Sequence, residues 1–152
     1  MKPRTIPAPP GAGQVRYGAR ELRTIKPTKE EFEKIKKNPI YIILDNVLDT
    51  YNVGSIFRLA DAVAAEKVIL CGSTEIPPNS RIKKASINTT EWVTWQYFAD
   101  AETAIDDLRF KIKDLPVGRQ GLQVIAIEQS KKSIPYDKAK YRFPVALVVG
   151  NE

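Results

Sequence analysis

The sequence contains no histidine and only one cysteine. Without imidazole, Ser-His-Asp and Cys-His nucleophile systems are excluded, as are most zinc sites, and no metal is expected. A lone Cys71 rules out an intrachain disulfide and fits a reducing cytoplasm. It ends an apolar run and reads as a small buried residue. No apolar stretch approaches the roughly 20 residues of a membrane span, so no membrane partner is expected. The N-terminal MKPRTIPAPPGAGQVRYGAR has no apolar core of the kind a secretory signal needs. No unit recurs at a fixed period. Residues 41–70 contain no G-x-G-x-x-G, and the chain has no Walker motif.

What is present suits one domain: 152 residues, 43% hydrophobic and 28% charged. The net charge of +6 is compatible with a nucleic-acid partner, although many basic domains bind none. Residues 1–28 are rich in Pro, Gly and basic side chains. They read as a flexible basic arm or a leader without a role, ahead of a folded unit over 29–152. Thr28 with Glu31 predicts a capping box opening a short helix that Asn38-Pro39 ends. An apolar strand is expected at 41–44, a polar loop at 45–51 and a helix from Val53. A second strand is expected at 67–71 and a third, rich in aromatics, at 91–98. Asp100 is placed to cap a helix over 101–111, with Ala104, Ile105, Leu108 and Ile112 inward. Further strands follow at 122–127 and 145–149. Strand–helix–strand alternation of this kind predicts an α/β fold, a parallel sheet of about five strands with helices on both faces.

The chemistry concentrates at Asn52-Val53-Gly54-Ser55-Ile56-Phe57-Arg58. A loop at the carboxyl end of a parallel strand is where open α/β sheets carry their sites. Asn52 can orient a hydroxyl, Gly54 would let a ligand approach backbone N–H groups, and the Arg58 fork suits a phosphate. The same residues also read as a helix cap, an incidental glycine and a solvated arginine. Arg81, Lys83 and Lys84 form a basic patch suited to RNA phosphates. Trp92 and Trp95 read either as strand core or as stacking platforms. Residues 115–121 read as a surface insertion.

The run LDNVLDTYNVGSIFRLADA resembles the first motif of SpoU-type RNA ribose methyltransferases, in the SPOUT superfamily. NSRIKKASINTTEWV is similar to that family's basic segment, with Ile87-Asn88-Thr89 where the family has a Gly-Ala pair. VALVVGNE is similar to the start of the second motif. The resemblance covers residues 28–152 in order. It implies a SPOUT-type α/β knot, S-adenosyl-L-methionine as donor, methylation of a ribose 2′-hydroxyl in tRNA or rRNA, and a homodimer with active sites at the subunit interface. It implies catalytic roles for Asn52, Arg58 and Glu152, cofactor contacts from Gly150 and Asn151, and RNA contacts from Arg81, Lys83 and Lys84. The family's third motif does not occur before Glu152. A truncated knot and weak cofactor binding by this chain are therefore expected. The rival readings are a non-catalytic RNA-binding module using the same basic face, and an α/β domain holding a phosphate ligand at Gly54.

Overall fold

The computed structural model of the protein describes residues 20–116 and 121–150. Much of the segment expected as an arm, part of the insertion, and Asn151 and Glu152 lie outside the described residues. Residues 20–28 carry one 3-10 turn at Glu21–Arg23. They are tied to the body where the Asn88 side-chain amide donates to the Ile25 carbonyl.

Helix α1 is Lys29–Lys34. The expected capping box forms: Glu31 N–H donates to Thr28 Oγ1 at 3.2 Å, and Thr28 N–H donates to Glu31 Oε2 at 2.9 Å. Acceptance of the Thr28 N–H holds the Glu31 carboxyl below its ordinary pKa. The helix ends at Ile35, before Asn38-Pro39. Those two residues instead open strand β1, Asn38–Asp45, where Pro39 falls in an irregular stretch of the ladder. A proline lacking N–H is tolerated at such a place.

Helix α2 is Thr50–Ala62, capped by Asp49, whose Oδ1 accepts the Tyr51 N–H at 2.7 Å. It starts three residues before the expected Val53, so Asn52 sits in a helical first turn rather than in a loop. Strand β2 is Ala65–Cys71, and α3 is Ser80–Ser86. The expected third strand is shorter than predicted: β3 is Trp95–Phe98. Glu91, expected to open it, closes a 3-10 turn at Thr89–Glu91, where the Thr89 hydroxyl donates to the Ser86 carbonyl at 2.9 Å. That local bond gives a β-type composition a turn to adopt. Trp92 consequently lies outside the strand, and the two tryptophans do not share it.

Helix α4 is Ala101–Ile112, β4 is Gln123–Ile127 and β5 is Val145–Gly150. The Asp100 carboxylate accepts the Thr103 N–H at 2.7 Å, which caps α4 and holds its pKa low. The five strands are all parallel, in the order β3-β2-β1-β5-β4. One core layer lies between the sheet and α2 and α3, built on Leu44, Phe57, Val68, Leu70 and Ile82. The other lies under α4, where Ala104, Leu108 and Ile112 recur at helical spacing against Ile43, Ile69 and Ala146. This is the expected α/β sheet with helices on both faces.

Cys71 is fully buried in the second layer. Burial, with smaller contributions from the charges of Asp45 and Asp100, pushes its thiol up to about 11. Because the thiolate is the reactive form, the folded protein is expected to resist an aromatic disulfide reagent at pH 8. One thiol equivalent should be released on adding guanidinium. Rapid modification without denaturant would mean that this layer opens.

Among the described residues, no helix is long and apolar enough to cross a membrane. No group of three His, Cys, Asp or Glu there is placed to hold a metal.

Candidate active site

In the strand order, β1 leads to β2 on one side and pairs with β5 on the other, which makes the β1–β5 junction a topological switch point. Leu44 lies opposite Val149, and Asp45 opposite Gly150, so the two strands end together. A cleft of about 670 Å³ opens there, beside the first turns of α2 and the end of β4. Its volume suits a cofactor-sized molecule. Leu44, Val47, Ile56, Ile127 and Val149 supply apolar wall; Asn52, Ser55, Glu128 and Gln129 supply polar groups. Asn52 and Gly150, chosen from separate sequence motifs, thus meet on one cleft.

Asp49, Ser55, Glu128 and Gln129 were not singled out from sequence. A signal existed for three of them: Asp49, an acid directly before a helix, reads as a cap, and Glu128-Gln129 follow a parallel strand at its carboxyl end.

Gly54 has a different role from the one expected. It lies buried in the α2–α3 contact, not at a ligand approach. A Cβ placed on it would lie 2.5 Å from Ala85 Cβ, 2.8 Å from the Ile82 carbonyl oxygen and 2.9 Å from the Ser86 nitrogen. The glycine lets two helix backbones touch. Gly150 is the converse case: a Cβ there would meet nothing within 4 Å among the described residues, and its φ is not in the left-handed region. Neither its φ nor packing among the described residues requires a glycine at 150.

Arg58 is exposed on α2, does not line the cleft, and makes no hydrogen bond or ion pair with a described residue. Six residues of α-helix carry it about 9 Å along the axis and about 120° around from Asn52. Arg81, Lys83 and Lys84 are exposed on α3 and make no ion pair with a described residue. Asn79 opens α3 by accepting the Arg81 and Ile82 N–H groups. The segment that departs from the family's Gly-Ala pair still turns left-handed: Ile87 has φ 50° and Asn88 has φ 71°. A β-branched residue there is strained, and Asn88 is tolerated better.

Glu152 and Asn151 lie outside the described residues, so of the second motif's G-x-E only Gly150 can be located on the cleft, next to Val149.

Comparison with known proteins agrees with this geometry. Residues 39–152 match the model of the SpoU rRNA Methylase family. A putative TrmH family tRNA/rRNA methyltransferase, YacO, of Bacillus subtilis (strain 168) is 24% identical over 120 residues, covering 79% of this chain and 44% of the relative. The tRNA (guanosine(18)-2′-O)-methyltransferase of Aquifex aeolicus (strain VF5) is 29% identical over 135 residues, covering 86% and 56%. The solved structure of an AdoMet-bound rRNA methyltransferase from Sinorhizobium meliloti superimposes with a TM-score of 0.60 at 30% identity, covering 86% of this chain and 43% of that one. The chain therefore spans about half the length of the curated relatives it matches. On the family match and the shared fold, this chain belongs to the SpoU rRNA methylase family.

Proposed function

We propose that the protein methylates a ribose 2′-hydroxyl of tRNA or rRNA in the cytoplasm, using S-adenosyl-L-methionine held in the β1–β5–β4 cleft. The observation that carries this reading is the meeting of Asn52 and Gly150 at the switch point. The cleft's residues fit such a donor. Its apolar wall suits the uncharged parts, Glu128 offers a negative charge to a cationic sulfonium, and Gly150 leaves its backbone open to close approach. Asn151 and Glu152 would extend that loop. The relatives' names and the AdoMet-bound structure support the reading.

The donor supplies an electrophilic methyl group. A ribose hydroxyl is a poor nucleophile and must be oriented and helped to lose its proton. The Asn52 side chain, with one acceptor and two donor positions, orients that hydroxyl at the cleft. A guanidinium has donors and no acceptor, so Arg58 is not assigned the role of base. It holds a backbone phosphate bidentately and stabilises the developing alkoxide, while the phosphate takes the proton.

Because Arg58 stands off the cleft, the site is completed by a second copy of the chain. Leu48, Leu59 and Val63 are 58%, 58% and 43% exposed on and beside α2. They offer apolar surface for that contact. Arg81, Lys83 and Lys84 hold the flanking RNA strand.

The cleft's β4 side is open, with Ile127 59% exposed, and favours weak donor binding by the 152-residue chain. Calorimetric titration with S-adenosylhomocysteine is expected to show at best weak heat. At millimolar labelled S-adenosylmethionine, label is expected in alkali-resistant dinucleotides of an RNA transcript, because a 2′-O-methyl group blocks alkaline cleavage. Label confined to bases would refute ribose transfer. The same openness favours a second reading, a non-catalytic RNA-binding module. It predicts RNA affinity that survives Asn52→Ala, with no label transferred at any donor concentration.

A further inference from the structure

We infer that a second cleft, formed by α3, the 3-10 turn after it and the start of β3, binds an unpaired RNA nucleotide flanking the methylated one. The inference rests on the RNA reading above but concerns a separate place. This cleft is about 510 Å³ and shares no lining residue with the first. Its lining joins Trp95, Pro77 and Ile82 to two cations, Lys26 and Lys83, and one acid, Glu91.

Trp95 is only half-buried. It packs against the α2-side core and also lines the cleft. A core role alone explains the first contact and not the second. Lys26 comes from the N-terminal segment, held against the 3-10 turn by the Asn88–Ile25 bond and by its own ion pair with Glu91 at 3.2 Å. That pair is solvent-exposed, with Lys26 72% and Glu91 35% accessible, so it contributes little and leaves the ammonium free to exchange partners. Lys83 faces the same cleft, and Arg81 and Lys84 on α3 continue the basic surface outward.

An aromatic wall bounded by cations is the chemistry of single-strand recognition. The base stacks, the phosphates are held electrostatically, and the base's identity matters little. A bare anion site would have no use for the tryptophan. A purely apolar ligand would have no use for two lysines.

The test uses the full chain carrying Trp92→Phe, which leaves Trp95 as the only tryptophan of the two. Its emission is followed during titration with single-stranded uridine and adenosine decaribonucleotides at low salt. Saturable quenching by both is expected. Stacking of this kind predicts that Trp95→Leu weakens binding by about fivefold to a hundredfold, while Trp95→Phe retains most of it. A melting curve checks that the Trp95→Leu chain is folded. Lys26→Ala and Lys83→Ala, both surface changes, are each expected to weaken binding severalfold and to flatten its salt dependence. Glu91→Gln should tighten it by removing the acid and freeing Lys26.

RNA binding that leaves Trp95 emission unchanged and is indifferent to Lys26→Ala and Glu91→Gln would overturn the nucleotide site alone. No binding of either oligonucleotide would overturn the RNA reading of the protein together with it.

Discussion

An equal mixture of Asn52→Ala and Arg58→Ala chains, refolded together, is expected to recover about a quarter of the unaltered methyl-transfer rate. Each variant alone is expected to lose about a hundredfold or more, the usual cost of removing a group that stabilises or orients the reacting oxygen. The reason lies in helix geometry. Asn52 lines the cleft and Arg58 does not, although both stand on α2. Their separation around the helix turns Arg58 away from its own cleft. If each site takes Asn52 from one copy and Arg58 from the other, a mixed dimer keeps one site with both residues intact and one with neither. Random pairing makes about half the dimers mixed, hence about a quarter of the sites. The rate at high donor concentration, normalised to total chain, decides the matter. Failure of the mixture to exceed either variant would mean that both residues serve one site from one chain.

Gly54→Ala should lower stability by about 2 kcal/mol, although alanine is the better helix former by up to about 1 kcal/mol. The sign follows from what the new methyl meets. Two of its three close neighbours are backbone atoms, the Ile82 carbonyl oxygen at 2.8 Å and the Ser86 nitrogen at 2.9 Å. Backbone cannot rotate out of the way as a flexible side chain can, so α2 and α3 must separate. Separation would loosen Phe57 and Ile82, both fully buried between these helices and the sheet. Thermal unfolding is expected to fall by about 4–8 °C for a chain of this size. Gly150→Ala is the contrast, because its Cβ would enter open space and should leave the midpoint unchanged. A stabilised Gly54→Ala protein would show that the α2–α3 contact is looser than these distances.

The elements most legible in the sequence were those whose residues settle their own local geometry. The Thr28–Glu31 capping box could be read because both of its bonds lie within four residues. The inner face of α4 could be read because Ala104, Leu108 and Ile112 repeat at helical spacing. The errors fell where a short-range bond competed with composition. Asp49 capped α2 earlier than apolar spacing suggested. The Thr89 hydroxyl and the left-handed Ile87 and Asn88 set a 3-10 turn at Thr89–Glu91, so the aromatic strand expected from Glu91 begins only at Trp95.

The site divides along the same line. Sequence alone determined that Asn52 and Gly150 belong to separate motifs, that Arg81, Lys83 and Lys84 form a basic patch, and that imidazole and disulfide chemistry are absent. Their order along the chain also determined a parallel α/β sheet, because buried strands alternating with amphipathic helices have few other ways to cover their faces. Only the tertiary structure decided that Gly54 serves helix contact while Gly150 borders open space. It alone separated Arg58 from the cleft and brought Lys26 and Trp95 to one side of α3. Those distinctions depend on strand order and on which backbones touch. Both are set by long-range packing, which the spacing of residues along one chain does not encode.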